Sequence, residues 1–552
     1  MSRRSNRLGA CFAAFIVAGT ANAGGGGDYP PLPPIGSNNV SVADPVVSRP
    51  SSTPCSVTLF DDFIFNDFTP RDFAYAAPSA CTGPWAKVVL TGDFYVTAGV
   101  QYDRTAKLWI GGTMLLFGTT PEPTGTLSPS WHVERDVTDY SELLASADQG
   151  RVYIANLVDG TYTGVIHGSA TLEFYPISPT DPAPTVPDQV VLLGGDANGS
   201  TTDLSLPTDQ QSTALSLPTN IERAYLDVYL QSQNTDEFWW TCMPDDVAPI
   251  TNDCPGTAFR EGEVSIDGQP AGVVPVYPWI YTGGIQPRMW MPIPGVETLN
   301  FDPYRVDLTP FAGILSDGTT HTLAISVFNT HAYFSVASAL LLYLDAGSTN
   351  VTGEVTTNTI GAGPAPVVVE NIDGSGIGDV VVTSDRTFTL TGYVETSHGH
   401  VETSIDQTLH FTSTNTYTAS VWSIDRGETI DSTTTVTSDD PTLTTTEHLS
   451  YPLTFSYTLS GQPIDVDMAY ERTIDEVTGS DTTYSSALRN EMTTHYQGAA
   501  ASRYSAQQYT YTDSTGACYD RNITATANQL ATVTDNIACI ALDTIFANGF
   551  DP

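Results

Sequence analysis

Hydrophobic and polar residues alternate along most of this chain with the two-residue period of a β-strand. The segments 224–230 and 321–327 alternate cleanly, and Gly, Pro and Asn residues interrupt such runs at short intervals. No long stretch carries the 3.6-residue period of an amphipathic helix. The pattern predicts an all-β protein made of many short strands, an organisation typical of β-sandwiches and jelly rolls.

Changes in amino-acid composition along the chain divide the series of predicted strands into regions. Residues 177–187 contain four prolines, and proline cannot donate to the central ladder of a sheet. After Asp345 the sequence becomes rich in Gly, Ser and Thr. Segments 387–390 and 453–459 alternate there, which predicts a twisted antiparallel sheet with a solvated threonine face. Residues 24–54 are rich in Gly, Pro, Ser and Asn, which is typical of a flexible lead-in.

The first residues have the features of an export signal. Arg3, Arg4 and Arg7 precede an apolar stretch at 8–20, and Ala21-Asn22-Ala23 is a small-x-small cleavage site. No later stretch has eighteen apolar residues in a row. We therefore expect cleavage after Ala23 and a bacterial protein that is secreted or periplasmic.

These boundaries predict seven parts. At roughly 150 residues per domain, the chain has room for three or four domains. In order, the parts are a signal peptide (1–23), a flexible lead-in (24–54), a first β domain (55–178), a proline-rich linker (179–188), a second β domain (189–346), a C-terminal antiparallel β domain (347–540) and a tail (541–552).

Six cysteines remain after the signal peptide, and an even number in an exported chain favours disulfides. Their spacing groups them into neighbours, although the sequence alone does not fix the connectivity. The absence of a C-x-x-C motif argues against a zinc ribbon or a redox site. The pairs favoured by proximity are Cys55–Cys81, Cys242–Cys254 and Cys518–Cys539.

The charge of the chain excludes several classes of partner. Asp and Glu number 62 against 20 Lys and Arg, for a net charge of −42. Such a chain repels the phosphates of nucleic acids and the head groups of anionic membranes. We expect a monomer, without nucleic-acid or membrane partners, that works in an acidic environment.

Two segments combine residues that suit chemistry. Asp103 and Arg104 open a strand, and an adjacent arginine favours an ionised carboxylate. Glu237 precedes Phe238, Trp239 and Trp240, and aromatic faces beside a carboxylate suit a sugar. The alternatives are a strand-end ion pair at Asp103–Arg104 and an aromatic core cluster around Glu237. Motifs of serine esterases, zinc proteases and nucleotide-binding loops are missing from the sequence.

Further motifs occur in a fixed order on both sides of these segments. Between residues 225 and 345 they are N-T-D-E-F-W-W (234–240), F-R-E-G-E-V-S-I-D-G (259–268), V-V-P-V-Y-P-W-I-Y-T-G-G-I-Q-P (273–287) and Y-R-V-D-L-T-P-F (304–311). Upstream they are Q-Y-D-R (101–104), L-W-I-G-G (108–112), W-H-V-E-R-D-V-T-D-Y (131–140) and N-L-V-D-G-T-Y-T-G-V (156–165). Together they resemble the peptide N-glycanase A family, the peptide-N4-(N-acetyl-β-glucosaminyl)asparagine amidases.

The resemblance implies two adjacent eight-stranded jelly rolls with an active site at their interface, followed here by the Thr/Ser-rich β domain. It implies hydrolysis of the amide between the innermost N-acetylglucosamine and asparagine, in an N-glycopeptide or N-glycoprotein, without a cofactor or metal. By motif, Asp103 and Glu237 match the two catalytic carboxylates of the flavobacterial relative. A third acidic residue of that relative has no clear match, and Asn156 stands at the corresponding place.

We expect Asp103, kept ionised by Arg104, to activate water, and Glu237 to bind the sugar amide or protonate the leaving nitrogen. The opposite assignment of roles fits the sequence equally well. The resemblance also favours an acidic pH optimum and tolerance of core α1,3-fucose.

Several other residues are candidates for binding the substrate, each with a structural alternative. Arg260 could hold the substrate or an oxyanion, or support the fold. His398 and His400 could present a metal pair, although a solvated hairpin turn is the favoured interpretation. The aromatic candidates for a sugar platform, for each of which core packing is the alternative, are Trp239, Trp240, Trp279, Tyr281 and Trp290.

Two other functions compete with the amidase. A lectin would use the same aromatic residues to bind a glycan without turnover. An endo-acting glycoside hydrolase would use the two carboxylates on a glycosidic bond, and would leave one sugar on asparagine.

Overall fold

The computed structural model describes residues 29–438, 442–458, 464–479, 482–497, 500–514 and 517–536. The predicted signal peptide, the predicted tail and Cys539, the expected partner of Cys518, lie outside the described residues. Every strand pairing in the described parts is antiparallel. The helices there are short, with one or two turns each. The prediction of an all-β protein is therefore confirmed. None of these helices has the length and hydropathy needed to cross a membrane.

The first sandwich packs two four-stranded sheets, ordered β1-β8-β3-β6 and β2-β7-β4-β5. Inward side chains alternate with outward ones along the strands, so the apolar set of both sheets meets in one core. A 3₁₀ turn (Thr138–Tyr140) and helix α1 (Ser141–Ser146) follow β6. The strands are β1 (Cys55–Phe65), β2 (Arg71–Ala74), β3 (Trp85–Val96), β4 (Thr105–Ile110), β5 (Thr113–Thr119), β6 (Ser130–Asp136), β7 (Gln149–Ile154) and β8 (Ile166–Pro176).

The second sandwich has nine strands where the resemblance implied eight. Its larger sheet is ordered β10-β17-β12-β15 with β9 also paired to β17, and its smaller sheet is ordered β11-β16-β13-β14. Short helices α2 (Ala248–Thr251) and α3 (Ala312–Leu315) and 3₁₀ turns at Asn234–Thr241, Pro287–Trp290 and Thr309–Phe311 lie in its loops. The strands are β9 (Gln189–Leu193), β10 (Thr202–Leu204), β11 (Gln211–Ser216), β12 (Ile221–Gln233), β13 (Glu261–Ile266), β14 (Gln269–Pro275), β15 (Tyr304–Asp307), β16 (Thr320–Phe328) and β17 (Tyr333–Leu344).

The described residues of the C-terminal region form one twelve-stranded antiparallel sheet. It is the third β unit after the two sandwiches, and we call it the third sheet. Along β20 buried Val382, Phe388 and Leu390 alternate with outward threonines, as the sequence predicted. The strands are β18 (Thr352–Asn358), β19 (Val367–Ile372), β20 (Gly378–Thr396), β21 (Gly399–Tyr417), β22 (Val421–Thr437), β23 (Leu443–Ser450), β24 (Leu453–Thr458), β25 (Ile464–Thr478), β26 (Thr482–Gln497), β27 (Ala500–Asp513), β28 (Cys518–Thr526) and β29 (Gln529–Asp535).

Buried polar contacts join the two sandwiches. Tyr140 of the first donates to Asp227 of the second at 2.7 Å. Arg305 pairs with both Asp227 and Asp139, at 2.7 and 2.8 Å. Asp227 and Arg305 pair within the second sandwich, and Tyr140 and Asp139 of the first sandwich complete this buried network across the interface. A satisfied buried network of this kind favours one relative arrangement of the two sandwiches.

The N-terminal strap, residues 29–54, differs from the flexible lead-in that composition suggested. The backbone N–H of Ala43 donates to Gln507 at 2.6 Å, and the hydroxyl of Tyr519 donates to the carbonyl of Ala43 at 2.9 Å. The N–H of Val47 donates to Glu134 of the first sandwich at 2.8 Å. The strap is ordered because sheets far away in sequence satisfy its backbone, a contact that composition does not reveal.

Candidate active site

Asp103 and Glu122 lie together at one edge of the first sandwich. Asp103 ends the loop from β3 to β4, and Glu122 follows β5, the strand next to β4. The N–H of Asp103 donates to Oε1 of Glu122 at 3.3 Å. Both carboxylates approach Gly283 of the second sandwich so closely that a Cβ added there would lie 2.5 Å from Asp103 Oδ1 and 2.5 Å from Glu122 Oε1.

Glu237, the residue predicted to be catalytic, lies in the 3₁₀ segment Asn234–Thr241 that follows β12. Because of that prediction we call this segment the catalytic turn. Asp236, the neighbour of Glu237, is fully buried and accepts from Arg260 at 2.8 Å. The other oxygen of Asp236 accepts the backbone N–H groups of His331 and Ala332 at 2.9 and 2.7 Å. These bonds anchor the turn in the second sandwich. Glu237 itself is half-buried, and the charge of Asp103 contributes to raising its pKa.

All three carboxyl groups have raised pKa values. Burial, followed by the charge of Asp103, raises the pKa of Glu237 to about 8. The same two causes raise the pKa of Glu122 to about 7, although the N–H of Asp103 and the charge of Arg104 oppose them. Burial also raises the pKa of Asp103, against the N–H of Gly283 and the charge of Arg104. Carboxyl groups whose pKa values are shifted and separated in one place are typical of acid–base catalysis.

Arg104 does not form the ion pair with Asp103 that the sequence suggested. Its Nη2 donates to Gln101 at 2.6 Å, and its backbone N–H donates to Thr120 at 2.9 Å. Its charge favours ionised Asp103, but burial is the larger influence on the pKa of that group. Arg104 therefore acts on Asp103 through its charge and without an ion pair, and the expectation that it keeps Asp103 ionised stays a prediction.

Most of the aromatic candidates belong to the core. Trp239 and Trp240 have no exposed surface, and Trp240 packs against Phe455 of the third sheet. Trp279 packs on Phe301 with ring centres 4.5 Å apart. Their burial means that they cannot offer a free face to a sugar in this structure.

Tyr281 and Trp290 instead support the loop that carries Gly283. The hydroxyl of buried Tyr281 donates to the carbonyl of Ser232, just before the catalytic turn, and the charges of Glu237 and Asp103 both act on it. Trp290 donates through Nε1 to the carbonyl of Gly284 at 2.8 Å. Both residues lie at the site and hold its backbone in place.

Arg260 and Asn156 are structural in this geometry. Arg260 has no exposed surface, because Asp236 and three backbone carbonyls surround its guanidinium. Asn156 is also fully buried and donates to the carbonyls of Phe65 and Gly164 at 2.9 and 3.0 Å. Their hydrogen bonds give both side chains a structural role, although Oδ1 of Asn156 has no hydrogen-bond partner among the described residues. That they bind substrate stays a prediction.

Glu122 is the residue that the sequence interpretation missed. It lies between Pro121 and Pro123, directly after a strand that is buried along its whole length. A lone acid in such a rigid, apolar setting was the available signal. Its position beside Asp103 adds a third acidic group to the candidate site.

The two disulfides in the described residues are Cys55–Cys81 and Cys242–Cys254, the pairings that proximity favoured. Cys242–Cys254 closes the loop that leaves the catalytic turn. His398 and His400 do not form a metal pair, because His398 contacts Glu222 at 3.1 Å and His400 contacts Glu395 at 2.8 Å.

Buried carboxyl groups with raised pKa values, where two β-sandwiches meet, are typical of a site for acid–base chemistry. The family model described as peptide N-acetyl-beta-D-glucosaminyl asparaginase amidase A matches residues 44–361. The peptide-N4-(N-acetyl-beta-glucosaminyl)asparagine amidase A of Prunus dulcis is 30% identical over 392 residues, which are 66% of this chain and 67% of the relative. The chain belongs to this amidase family, the enzyme class that its motifs predict.

Solved structures with a similar fold include PNGase F from Flavobacterium meningosepticum, a glycosylasparaginase. It is 14% identical, with a TM-score of 0.35, and the match covers 53% of this chain and 96% of that one. PNGF-II is 12% identical, with a TM-score of 0.37, and the match covers 53% of this chain and 66% of PNGF-II.

Proposed function

We propose that the three carboxyl groups hydrolyse the amide that joins the innermost N-acetylglucosamine of an N-glycan to asparagine. The observation that carries this proposal is the meeting of Asp103 and Glu122 of the first sandwich with Gly283 of the second. Tyr281, in the loop of Gly283, bonds to the carbonyl of Ser232, which lies just before the turn that carries Glu237. An amide is a poor electrophile, and its hydrolysis needs both a base for water and an acid for the leaving nitrogen. Membership of the amidase family supports the same reaction.

The environment of each carboxyl group supports one assignment of roles. Burial raises the pKa of Asp103, but the Gly283 N–H and the Arg104 charge oppose this rise, whereas both influences on Glu237 raise its pKa. Glu237 is raised to a pKa of about 8 by burial and by Asp103, so it keeps its proton in acidic and neutral solution. Asp103 is therefore the base and Glu237 the acid, the choice that the sequence left open.

In the proposed reaction, water attacks the side-chain carbonyl carbon of asparagine and gives its proton to Asp103. The carbon–nitrogen bond then breaks as Glu237 gives its proton to the nitrogen. The products are a glycosylamine with the intact glycan and a peptide with aspartic acid at the former asparagine. Glu122, protonated below pH 7, adds no second negative charge beside Asp103.

Mass spectrometry of a defined N-glycopeptide tests the reaction. We expect Asp103→Asn and Glu237→Gln each to slow release of the glycan by about 10²–10⁴-fold, the usual contribution of a general acid or base. Glu142→Gln, which alters an exposed acid of the same protein, should leave the rate unchanged. Wild-type rates in either site variant would refute the assignment. A product with one sugar left on asparagine would indicate the endo-glycosidase, and glycan binding without cleavage would indicate the lectin.

The pKa values support activity on the acidic side of neutrality. We expect kcat/KM to fall as the pH rises through about 7 to 8, because Glu122 and Glu237 lose their protons there. At low pH it should fall again as Asp103 is protonated. Glu122→Gln removes one of the two alkaline titrations and should make the alkaline side of the profile less steep. An optimum above pH 8 for the wild-type enzyme would contradict these roles.

The proposal extends to an exported monomer that accepts core α1,3-fucose. The signal-like residues 1–23 support export, and the plant-like motifs support tolerance of fucose. N-terminal sequencing of the exported protein should give Gly24 as the first residue. Light scattering should give one chain per particle, and a matched pair of glycopeptides with and without α1,3-fucose should be cleaved at similar rates.

A further inference from the structure

A cavity of about 740 Å³ lies away from the three carboxylates, between the outer face of the first sandwich, the N-terminal strap, the loop 294–302 and the third sheet. Its volume is within the range of about 300–1,000 Å³ that small-molecule sites occupy. Neither Asp103 nor Glu122 nor Glu237 lines it. Val40 of the strap lines both this cavity and a small pocket at Glu122, so the strap separates the cavity from the catalytic side.

An aromatic ring on the sheet faces this cavity. Tyr95, on the outer face of β3, lines the cavity and is 39% exposed. One face of the ring stacks on His167, with centres 4.6 Å apart and planes at 11°. A tyrosine held flat in this way, with hydrogen-bonding groups around it, suits the apolar face of a pyranose.

The polar groups beside Tyr95 compensate one another's charge. His132 contacts Asp93 at 2.7 Å and Glu134 at 3.0 Å, and these two carboxylates raise its pKa to about 9. Arg49 pairs with the same Glu134 at 2.6 Å. A third carboxylate of this part of the lining, Asp62, contacts His167 at 2.8 Å. Each of these carboxylates is thus engaged by a basic side chain, and the acidic lining disfavours an anionic ligand.

At the inner end of the cavity, acidic and basic side chains are also paired with one another. Arg472 contacts Glu297, and it pairs with Asp302 at 2.9 Å. Arg135 lies 3.6 Å from the same Asp302. The lining is therefore rich in hydrogen-bonding groups, although its charges are largely paired, and it suits a neutral ligand with many hydroxyl groups.

Asp44 provides an acceptor without a protein partner. It lies in the strap above the cavity, and its Oδ1 is buried without a hydrogen bond to any described residue. A buried polar atom without a partner is uncommon in folded proteins. A hydroxyl group of a ligand would satisfy this oxygen.

We propose that this cavity is a second carbohydrate-binding site, which takes neutral pyranose residues. The inference rests on the proposed function in one respect, since the sugars would come from an N-glycan. They are either the outer residues of the glycan whose amide is at the catalytic carboxylates, or residues of a separate glycan on the same target.

Calorimetric titration with α-mannotriose tests the site, because this neutral sugar has no amide for the catalytic carboxylates. We expect Tyr95→Ala to weaken binding at least tenfold, and Tyr95→Phe, which keeps the ring, to retain it. Asp93→Ala, at an exposed position beside Tyr95, is the second variant and should also weaken binding. Absence of binding to the wild-type protein, or equal binding by all variants, would overturn the proposal.

Kinetics distinguish the two sources of sugar. If the cavity binds outer residues of the glycan that is being cleaved, Tyr95→Ala raises KM for a full N-glycopeptide. It does not raise KM for a glycopeptide that carries chitobiose alone. For a separate glycan, both KM values stay unchanged while mannotriose binding is lost. Cleavage of the chitobiose substrate also reports that each variant is folded. If no substrate is cleaved at all, the proposed function fails, whereas the titration, repeated with Glu237→Gln, still decides the binding site.

Discussion

Gly283 lies against two carboxylates, and its lack of a side chain sets how closely the sandwiches approach at the site. A methyl group there would lie 2.5 Å from oxygens of both Asp103 and Glu122, closer than real contacts allow. We expect Gly283→Ala to displace these carboxylates and to lower kcat/KM by about 10²-fold, since misplacement by about 1 Å can cost that much. Because Gly283 is half-exposed at a loop, the thermal midpoint should change little.

A second glycine offers a matched control. Gly125 follows Glu122 in the same loop, and no atom lies within 4 Å of the position of its added Cβ. Gly125→Ala should keep wild-type kinetics. Equal activity of Gly283→Ala and the wild-type enzyme would show that the carboxylates need not occupy their present positions.

The catalytic turn, Asn234–Thr241, depends on a strand of the third sheet. The guanidinium of Arg426, on β22, lies 4.8 Å from the ring centre of Trp239 and pairs with Glu428 at 2.7 Å. All three side chains are buried. The third sheet therefore supports the turn that carries Glu237, two residues before Trp239, and is part of the structure that positions Glu237.

The variant Arg426→Met tests this support. It leaves Glu428 buried without its partner, and we expect the free energy of unfolding to fall by about 3–5 kcal/mol. It also removes the contact beneath Trp239, so kcat should fall more than KM changes. Chemical denaturation and steady-state kinetics measure the two effects.

The double variant Arg426→Met/Glu428→Gln separates the effect on stability from the effect on kcat. It no longer buries an unpaired carboxylate, so most of the stability should return, while kcat stays low. Full recovery of kcat in the double variant would mean that the contact with Trp239 does not position Glu237.

The whole molecule should be most stable in mildly acidic solution. Burial raises the pKa of Glu428 and of Glu476 to about 7, and that of Glu237 to about 8. Each such group contributes fully below its unfolded pKa of about 4.3, and that contribution is lost as the pH rises through its folded pKa. Glu134 acts in the opposite direction, because His132 and Arg49 lower its pKa to about 2, so its contribution is lost as the pH falls below about 4.3.

We therefore expect the thermal midpoint to be highest near pH 4 to 5 and to decline between about pH 5 and 8. Differential scanning calorimetry across pH 3 to 9 measures this curve. General repulsion from the net charge of −42 would also destabilise the protein at high pH, but salt screens it. The decline should persist in 0.5 M salt, and a flat curve there would assign it to repulsion between surface charges.

Some features of this protein follow from local sequence. Three features could be interpreted without the structure. They are the alternation typical of strands, the short separation of Cys55 and Cys81 in the sequence, and the motifs around Asp103 and Glu237. They could be interpreted because a two-residue period, a short loop and a family motif are each contained within a few neighbouring positions.

Other features depend on residues that are distant in sequence. The sequence determined the strands, the family motifs and two carboxylates of the candidate site. Only the tertiary structure decided that Glu122 joins them, that Trp239 and Arg260 are buried, and that residues 29–54 form an ordered strap. Burial and hydrogen bonding are properties of pairs of groups, and the partners here, such as Gly283 for Glu122 or Gln507 for Ala43, lie more than 150 residues away.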